Sequence, residues 1–230
     1  MKIAQFQNSI LLFNKPYRWT SFDVVNKIKR ALKVKIGHAG TLDPLATGLL
    51  ILCTGQQRKR MVSFQELQKE YTGTMVLGAT TPSYDLETTV EQTPGISQIT
   101  APMILSATTQ FTGTQDQLPP SFSAKQSKGK RYYHYAREGK ELEVKPHRVT
   151  LHEFEITRIE LPEVDFRIRC GKGYYVRSLV NDFGKAIGSG AYLAKLCRTR
   201  IGEYQLSDAW EIDDFLKFVK EDDAAAVHAE

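Results

Sequence analysis

Hydrophobic positions change their period several times along this chain, and each change marks a predicted element. Residues 10–13 form a short apolar run that stops before Pro16, which predicts a strand. Phe22, Val25, Ile28 and Leu32 then recur at helical spacing behind Thr20 and Asp23, a pairing suited to capping a helix start. Leu49-Leu50-Ile51-Leu52-Cys53 is apolar without interruption, as in a buried strand. Residues 58–67 read as helix, and residues 71–77 as a strand with Tyr71, Met75 and Leu77 on one face. Residues 80–95 are rich in turn formers, and Ile99, Met103, Ile104, Ala107 and Phe111 predict another helix.

In the second half, residues 149–151 and 154–156 predict a strand pair, and residues 166–170 alternate as a half-buried strand does. A Gly-x-Gly turn at 171–173 feeds a helix with the stripe Val176, Leu179, Val180, Phe183 and Ile187, closed by Gly188. Residues 193–196 and 204–206 predict further strands, and Ser207 a cap for a last helix through Ile212, Phe215, Leu216 and Val219. Strands and helices are mixed irregularly, with no repeat and no Pro/Ser linker. That order points to an α+β fold with a mixed sheet, not a doubly wound one.

The composition narrows the function classes. With 230 residues and 41% hydrophobic content the chain has ample core, and a net charge of +5 leans towards a polyanionic partner. Cys53, Cys170 and Cys197 are odd in number and far apart, which predicts reduced thiols in a cytoplasmic protein. No apolar run reaches membrane-spanning length and the N-terminus has no signal-peptide core, so no membrane association is expected. No two histidines stand at i, i+3 or i+4 and there is no Cys-x-x-Cys, so no metal site is expected; a P-loop is absent as well.

Two stretches carry candidate chemistry. In Gly37-His38-Ala39-Gly40-Thr41-Leu42-Asp43-Pro44, Pro44 disfavours the α region at Asp43 and places the carboxylate on an extended or turn segment. An ordinary Asp-Pro turn and a functional loop fit that stretch equally. Downstream of Pro119 and Pro120, Lys125, Lys128, Lys130, Arg131, Arg137 and Lys140 interleave with Tyr132, Tyr133 and Tyr135 against one acid, Glu138. Cations offer phosphate contacts and tyrosines stack on unpaired bases, so RNA contact is favoured over a merely soluble loop. A helix face with Lys27, Lys29, Arg30 and Lys33 fits either a solvated surface or a phosphate-facing one.

Several of these motifs, taken in order, resemble the pseudouridine synthases of the TruB type, which act on tRNA uridine-55. Residues 38–48 resemble that family's Gly-His-x-Gly-x-Leu-Asp-Pro-x-Ala-x-Gly signature, and Lys15-Pro16 its N-terminal Lys-Pro motif. Tyr71 matches the tyrosine that follows the catalytic strand, residues 119–139 the RNA-binding insertion, and residues 172–177 the Lys-Gly-x-Tyr-Ile/Val-Arg motif. The chain departs from the pattern in Ser123-Ala124-Lys125-Gln126, where the family reads Ser-Ala-x-Lys. It departs again near Asp85, which lacks a glycine three residues on, and in Leu196-Cys197-Arg198 in place of Leu-Arg-Arg.

The resemblance implies a largely antiparallel central sheet flanked by helices, with the active-site cleft across it. It implies one catalytic domain over residues 1–230 with a basic thumb inserted at about 116–147, and no C-terminal PUA domain. Asp43 would be the catalytic carboxylate, Arg177 the cation that keeps it ionised and Tyr175 the base for the C5 proton. Tyr71 would stack on the uracil, Leu196 line the pocket, and His38 fill the space left by the flipped base. Lys15, Lys125, Lys128, Lys130, Arg131 and Tyr133 complete the implied substrate contacts. The implied partner is the T-arm stem-loop of tRNA, with no cofactor and no obligate protein partner. Two other classes compete: a non-catalytic RNA-binding module, and a metal-dependent nuclease. The nuclease would need clustered carboxylates, and Asp213-Asp214 and Glu221-Asp222-Asp223 read as solvated positions.

Overall fold

The computed structural model describes residues 2–93, 95–120, 126–127, 130–131 and 145–227. They form two compact units, the first from Met1–Tyr71 with Leu196–Glu230 and the second from Thr72–Lys195.

The first unit opens with α1 (Lys2–Gln5), β1 (Ile10–Lys15), α2 (Ser21–Leu32), β2 (Ile36–His38) and β3 (Thr47–Thr54). A 3-10 turn over Gly55–Arg60 and α3 (Met61–Glu66) lead into β4 (Lys69–Leu77), whose first residues belong here. β3 is the centre of this unit. It pairs antiparallel with β1, from Ile10↔Cys53 to Lys15↔Gly48, and antiparallel with β2 through Gly37↔Cys53. That position explains its unbroken apolar run, since both faces are covered. Leu50 and Leu52 face Phe13, Val25, Ile28 and Phe215, while Leu49, Ile51 and Cys53 face Phe64 and Ile201. Burying one such side chain stabilises the fold by about 1.5–3 kcal/mol.

The α2 cap is as the sequence predicts. The Thr20 hydroxyl accepts the Asp23 N–H at 3.1 Å and the Asp23 carboxylate accepts the Thr20 N–H at 2.8 Å. The stripe differs at one position: Phe22 is 64% exposed and Val24 is buried in its place. The cap starts the helix at Ser21, so the inward face runs Ser21, Val24, Val25, Ile28 and Leu32; Phe22 lies about 100° round from Ser21. Lys27, Lys29, Arg30 and Lys33 are all exposed.

In the second unit β4 continues, followed by the short pair β5 (Ala79–Thr80) and β6 (Glu91–Gln92), α4 (Ala101–Ala107) and β7 (Gly113–Gln117). A two-residue ladder follows, β8 (Gln126–Ser127) with β9 (Lys130–Arg131). Of the insertion residues expected to touch RNA, Lys130 and Arg131 form β9; Lys125, Lys128 and Tyr133 lie outside the described residues. Then come β10 (His147–Glu160), β11 (Glu163–Cys170), α5 (Val176–Ala186) and β12 (Ala191–Ile201), giving the strand order β12–β4–β11–β10–β7. The expected strand pair at 149–156 is one strand. Register shifts at Leu151/Glu153 and Ile156/Arg158 break the alternation of β10, so its pattern imitates two short strands. β11 alternates as expected, with every second side chain buried from Val164 to Cys170.

The chain returns to the first unit in the second half of β12, which pairs parallel with β3 at Arg198↔Gly48. β13 (Tyr204–Gln205) and α6 (Ile212–Val227) complete it. Ser207 does not cap α6: it sits in a 3-10 turn over Leu206–Asp208. Trp210 first bonds to β1, donating to the Leu12 carbonyl at 2.8 Å and accepting from Asn14 N–H at 3.0 Å, which delays the helix to Ile212. With antiparallel and parallel pairs in its sheet and helices packed on it, the fold is α+β and mixed. All three cysteines are free thiols. Among the described residues no helix is long and apolar enough to cross a membrane.

Candidate active site

Residues 39–46 join β2 to β3, and they are tied down from several sides. Ala46 N–H donates to the Asp43 carbonyl at 3.1 Å, closing a β-turn with Asp at the first position and Pro44 at the second, where proline presets φ. The stretch is therefore a turn, but its neighbours hold it more firmly than a turn requires. The Ser21 hydroxyl accepts the Leu42 N–H at 2.9 Å and donates to the Leu42 carbonyl at 3.2 Å. On the other side of Asp43, the Pro44 carbonyl accepts from Arg18 N–H at 2.9 Å and Lys15 Nζ at 3.3 Å.

Two buried cations flank this turn. Lys15 is fully buried at the end of β1, and its ammonium also donates to the Pro16 and Trp19 carbonyls at 2.9 and 2.6 Å. Burial pushes its pKa down to about 8, opposed by the Asp43 carboxylate; Arg198 acts with burial and Asp23 against it. Arg198, 1% exposed on β12, donates from Nε to the Leu49 carbonyl at 2.8 Å and from a terminal nitrogen to the Gly40 carbonyl at 3.2 Å. It thus bridges the two ends of the segment that carries Asp43. Asp43 itself is half-buried.

His38 ends β2, half-buried, and its pKa is lowered by burial, a hydrogen bond to the Gly40 backbone opposing and the Arg198 charge assisting. That direction favours the neutral imidazole. Tyr71 is buried on β4, and Leu196 is half-buried on β12 with its carbonyl accepting from the Thr47 hydroxyl at 3.3 Å. Lys15, His38, Asp43, Tyr71 and Leu196 all belong to the first unit.

Tyr175 and Arg177 belong to the second. Tyr175 stands at the N-cap of α5. The Gln117 amide holds its backbone in both directions, accepting the Tyr175 N–H at 2.8 Å and donating to the Tyr175 carbonyl at 3.0 Å. The His147 ring meets the Tyr175 ring edge-on at 5.7 Å. Arg177 is 4% exposed; one terminal nitrogen lies 3.6 Å from the Asp85 carboxylate and donates to the Ser83 carbonyl at 3.2 Å. The Asp85 carboxylate also accepts the Glu87 N–H at 3.0 Å, so the acid is fixed by its own loop.

Sequence reasoning missed Ser21, Ser83 and Gln117, and it noted Asp85 and Arg198 only as places where the family pattern changes. Ser21 and Gln117 act on backbone groups of residues 42 and 175, far away in the chain, and no local periodicity marks such a pairing. Among the described residues no group of three His, Cys, Asp or Glu side chains is placed to hold a metal ion.

Comparison with known proteins concerns the chain as a whole. Residues 27–176 match the TruB family pseudouridylate synthase (N terminal domain) model. The chain is 51% identical over 217 residues to the tRNA pseudouridine synthase B of Flavobacterium johnsoniae, covering 91% of this chain and 95% of that protein. It is 48% identical over 218 residues to the protein of the same name from Parabacteroides distasonis, covering 90% and 93%. Among solved structures it resembles a Cbf5-Nop10-Gar1 complex, with TM-score 0.73 and 27% identity over 96% of this chain and 58% of that one. An H/ACA RNP bound to a substrate RNA containing 2'-deoxyuridine shares the fold, with TM-score 0.73 and 24% identity over 96% of this chain and 57% of that one. The chain therefore spans just over half the length of these two solved chains. With the family signature placed on a clamped turn between two buried cations, and the family model matched over residues 27–176, the chain belongs to the TruB family of pseudouridylate synthases.

Proposed function

We propose that this chain is a cytoplasmic isomerase that converts uridine-55 in the T-loop of tRNA to pseudouridine, without a cofactor or an obligate protein partner. One observation carries the reading: the Asp43 turn is clamped between Lys15 and Arg198 in a chain 51% identical to a tRNA pseudouridine synthase B. The reaction breaks the N1–C1′ bond, turns the uracil in place and joins C5 to C1′. It requires the uridine to leave its stack. Asp43 supplies the carboxylate that attacks the nucleotide or removes a sugar proton. Tyr175 takes the C5 proton, Arg177 contributes a positive charge, and Tyr71 stacks on the uracil. Leu196 lines the pocket and His38 fills the vacated stack. Lys15 serves the site by holding the Pro44 carbonyl.

The test uses a T-arm stem-loop tritiated at C5 of uridine-55, incubated with the protein in EDTA. Tritium release with the RNA chain intact is the expected outcome. RNA cleavage restored only by added metal would favour a nuclease, and binding without tritium release a non-catalytic module.

The thumb reading makes a separate prediction about binding. Phosphate contacts release counterions, so log Kd for tRNA should change with log salt by roughly 0.7–0.9 per contact. Replacing Lys125, Lys128, Lys130 and Arg131 together with alanine should reduce that slope, as read by filter binding across salt concentrations. An unchanged slope would assign the main phosphate contacts to the exposed face with Lys27, Lys29, Arg30 and Lys33.

A further inference from the structure

The backbone on the N-terminal side of Asp43 is held by one side chain. The Ser21 hydroxyl accepts the Leu42 N–H and donates to the Leu42 carbonyl, the way a neighbouring strand would, and the residue is 2% exposed. Ser21 is itself fixed. It is the first residue of α2, and the reciprocal Thr20 and Asp23 bonds set where that helix begins. A chain of short contacts therefore runs from the capping box through Ser21 to Leu42, the residue before the carboxylate. With the hydroxyl gone, the Leu42 N–H and carbonyl would both lose their partner in a water-poor site, and the turn could reorient to recover one.

We propose that Ser21 is a positioning residue for the Asp43 carboxylate: its hydroxyl fixes the Leu42 peptide and so the direction in which the acid leaves the turn. The proposal rests on the assignment of Asp43 as the catalytic group. Ser21 touches no substrate atom in this role; it acts through the backbone, so its loss should lower turnover and leave RNA affinity intact.

The test compares Ser21→Ala and Ser21→Cys with wild type in single-turnover tritium release, together with RNA affinity and thermal unfolding. A thiol is a weak donor and a weak acceptor, so the rates should rank Ser, Cys, Ala. A small misplacement of a reacting group costs about 100-fold, so Ser21→Ala should lose roughly 10- to 100-fold in rate, with affinity changed less than about twofold. Thr54→Val separates positioning from stability. The Thr54 hydroxyl is also buried, but it bonds to Ser9 N–H at 2.7 Å and the Phe6 carbonyl at 2.5 Å, at the far end of β3 from the turn. This variant should lower Tm and keep the wild-type rate. Ser21→Ala at the wild-type rate would overturn the proposal. So would rate losses in both Ser21→Ala and Thr54→Val that follow only their losses of Tm. Asp43→Asn in the same assay distinguishes the two levels: turnover by that variant removes the catalytic assignment itself, whereas its silence beside a fully active Ser21→Ala removes only the clamp.

Discussion

Asp43→Asn should abolish pseudouridine formation, with a loss on the order of 10⁴-fold, while the protein still folds and binds tRNA. The substitution keeps the size of the side chain and removes its charge. An amide neither attacks a nucleotide nor takes a sugar proton at a useful rate, so both forms of the reaction fail. The turn should survive, because the hydrogen bonds to it from Ser21, Arg18 and Lys15 are made to the backbone of Leu42 and Pro44. Single-turnover tritium release and filter binding measure the two halves of this expectation. Turnover by protein that mass spectrometry shows still carries asparagine at position 43 would remove Asp43 from the mechanism.

Gly48→Ala should be severely damaging, costing on the order of 3–5 kcal/mol. Gly48 has φ +102°, a region that L side chains rarely adopt. An added Cβ would also stand 2.4 Å from the Arg198 carbonyl oxygen and 2.7 Å from its nitrogen, because the two residues are register partners in the parallel pair of β3 and β12. Neither atom belongs to a flexible side chain, so a strand must move. Moving it displaces the Arg198 guanidinium from the Gly40 and Leu49 carbonyls, and activity should fall with stability. Gly188→Ala isolates the backbone contribution: φ there is +75° and nothing lies within 4 Å of the added carbon. That variant should cost about 1–2 kcal/mol. Urea titrations giving equal midpoints for the two variants would disprove the strand clash.

What could be read in the sequence was local. The capping pair Thr20 and Asp23, the run at 49–53 and the alternation at 166–170 each encode their structure within a few residues, and each appears in the fold. Misreadings came where a distant contact overrode a local signal. Ser207 has the chemistry of a cap, yet the pairing of Trp210 with β1 moves the helix start past it. β10 looks like two strands because its bulges shift the inward face, and bulges depend on the partner strand. For the site, Asp43 was legible through a motif that resembles a family. The groups that hold the candidate residues, Ser21 on Leu42, Arg198 on Gly40 and Asp85 on Arg177, join positions far apart in the chain. No spacing rule reports such pairs.

The first unit is assembled from two stretches of chain with the whole second unit between them. Its order of assembly during synthesis follows from that. Translation at about 5–20 residues per second leaves the early segment waiting for partners, while the contiguous segment 72–195 meets its own partners as it emerges. Phe215, packed against Phe13 at 5.0 Å, and Arg198, the bridge across the Asp43 turn, are among the last to arrive. Until they do, β1 and β3 present apolar side chains without their cover. A nascent chain halted before residue 196 would thus carry Asp43 and the capping box of α2 but not the guanidinium that spans the turn, and it should release no tritium from RNA until the remainder is supplied.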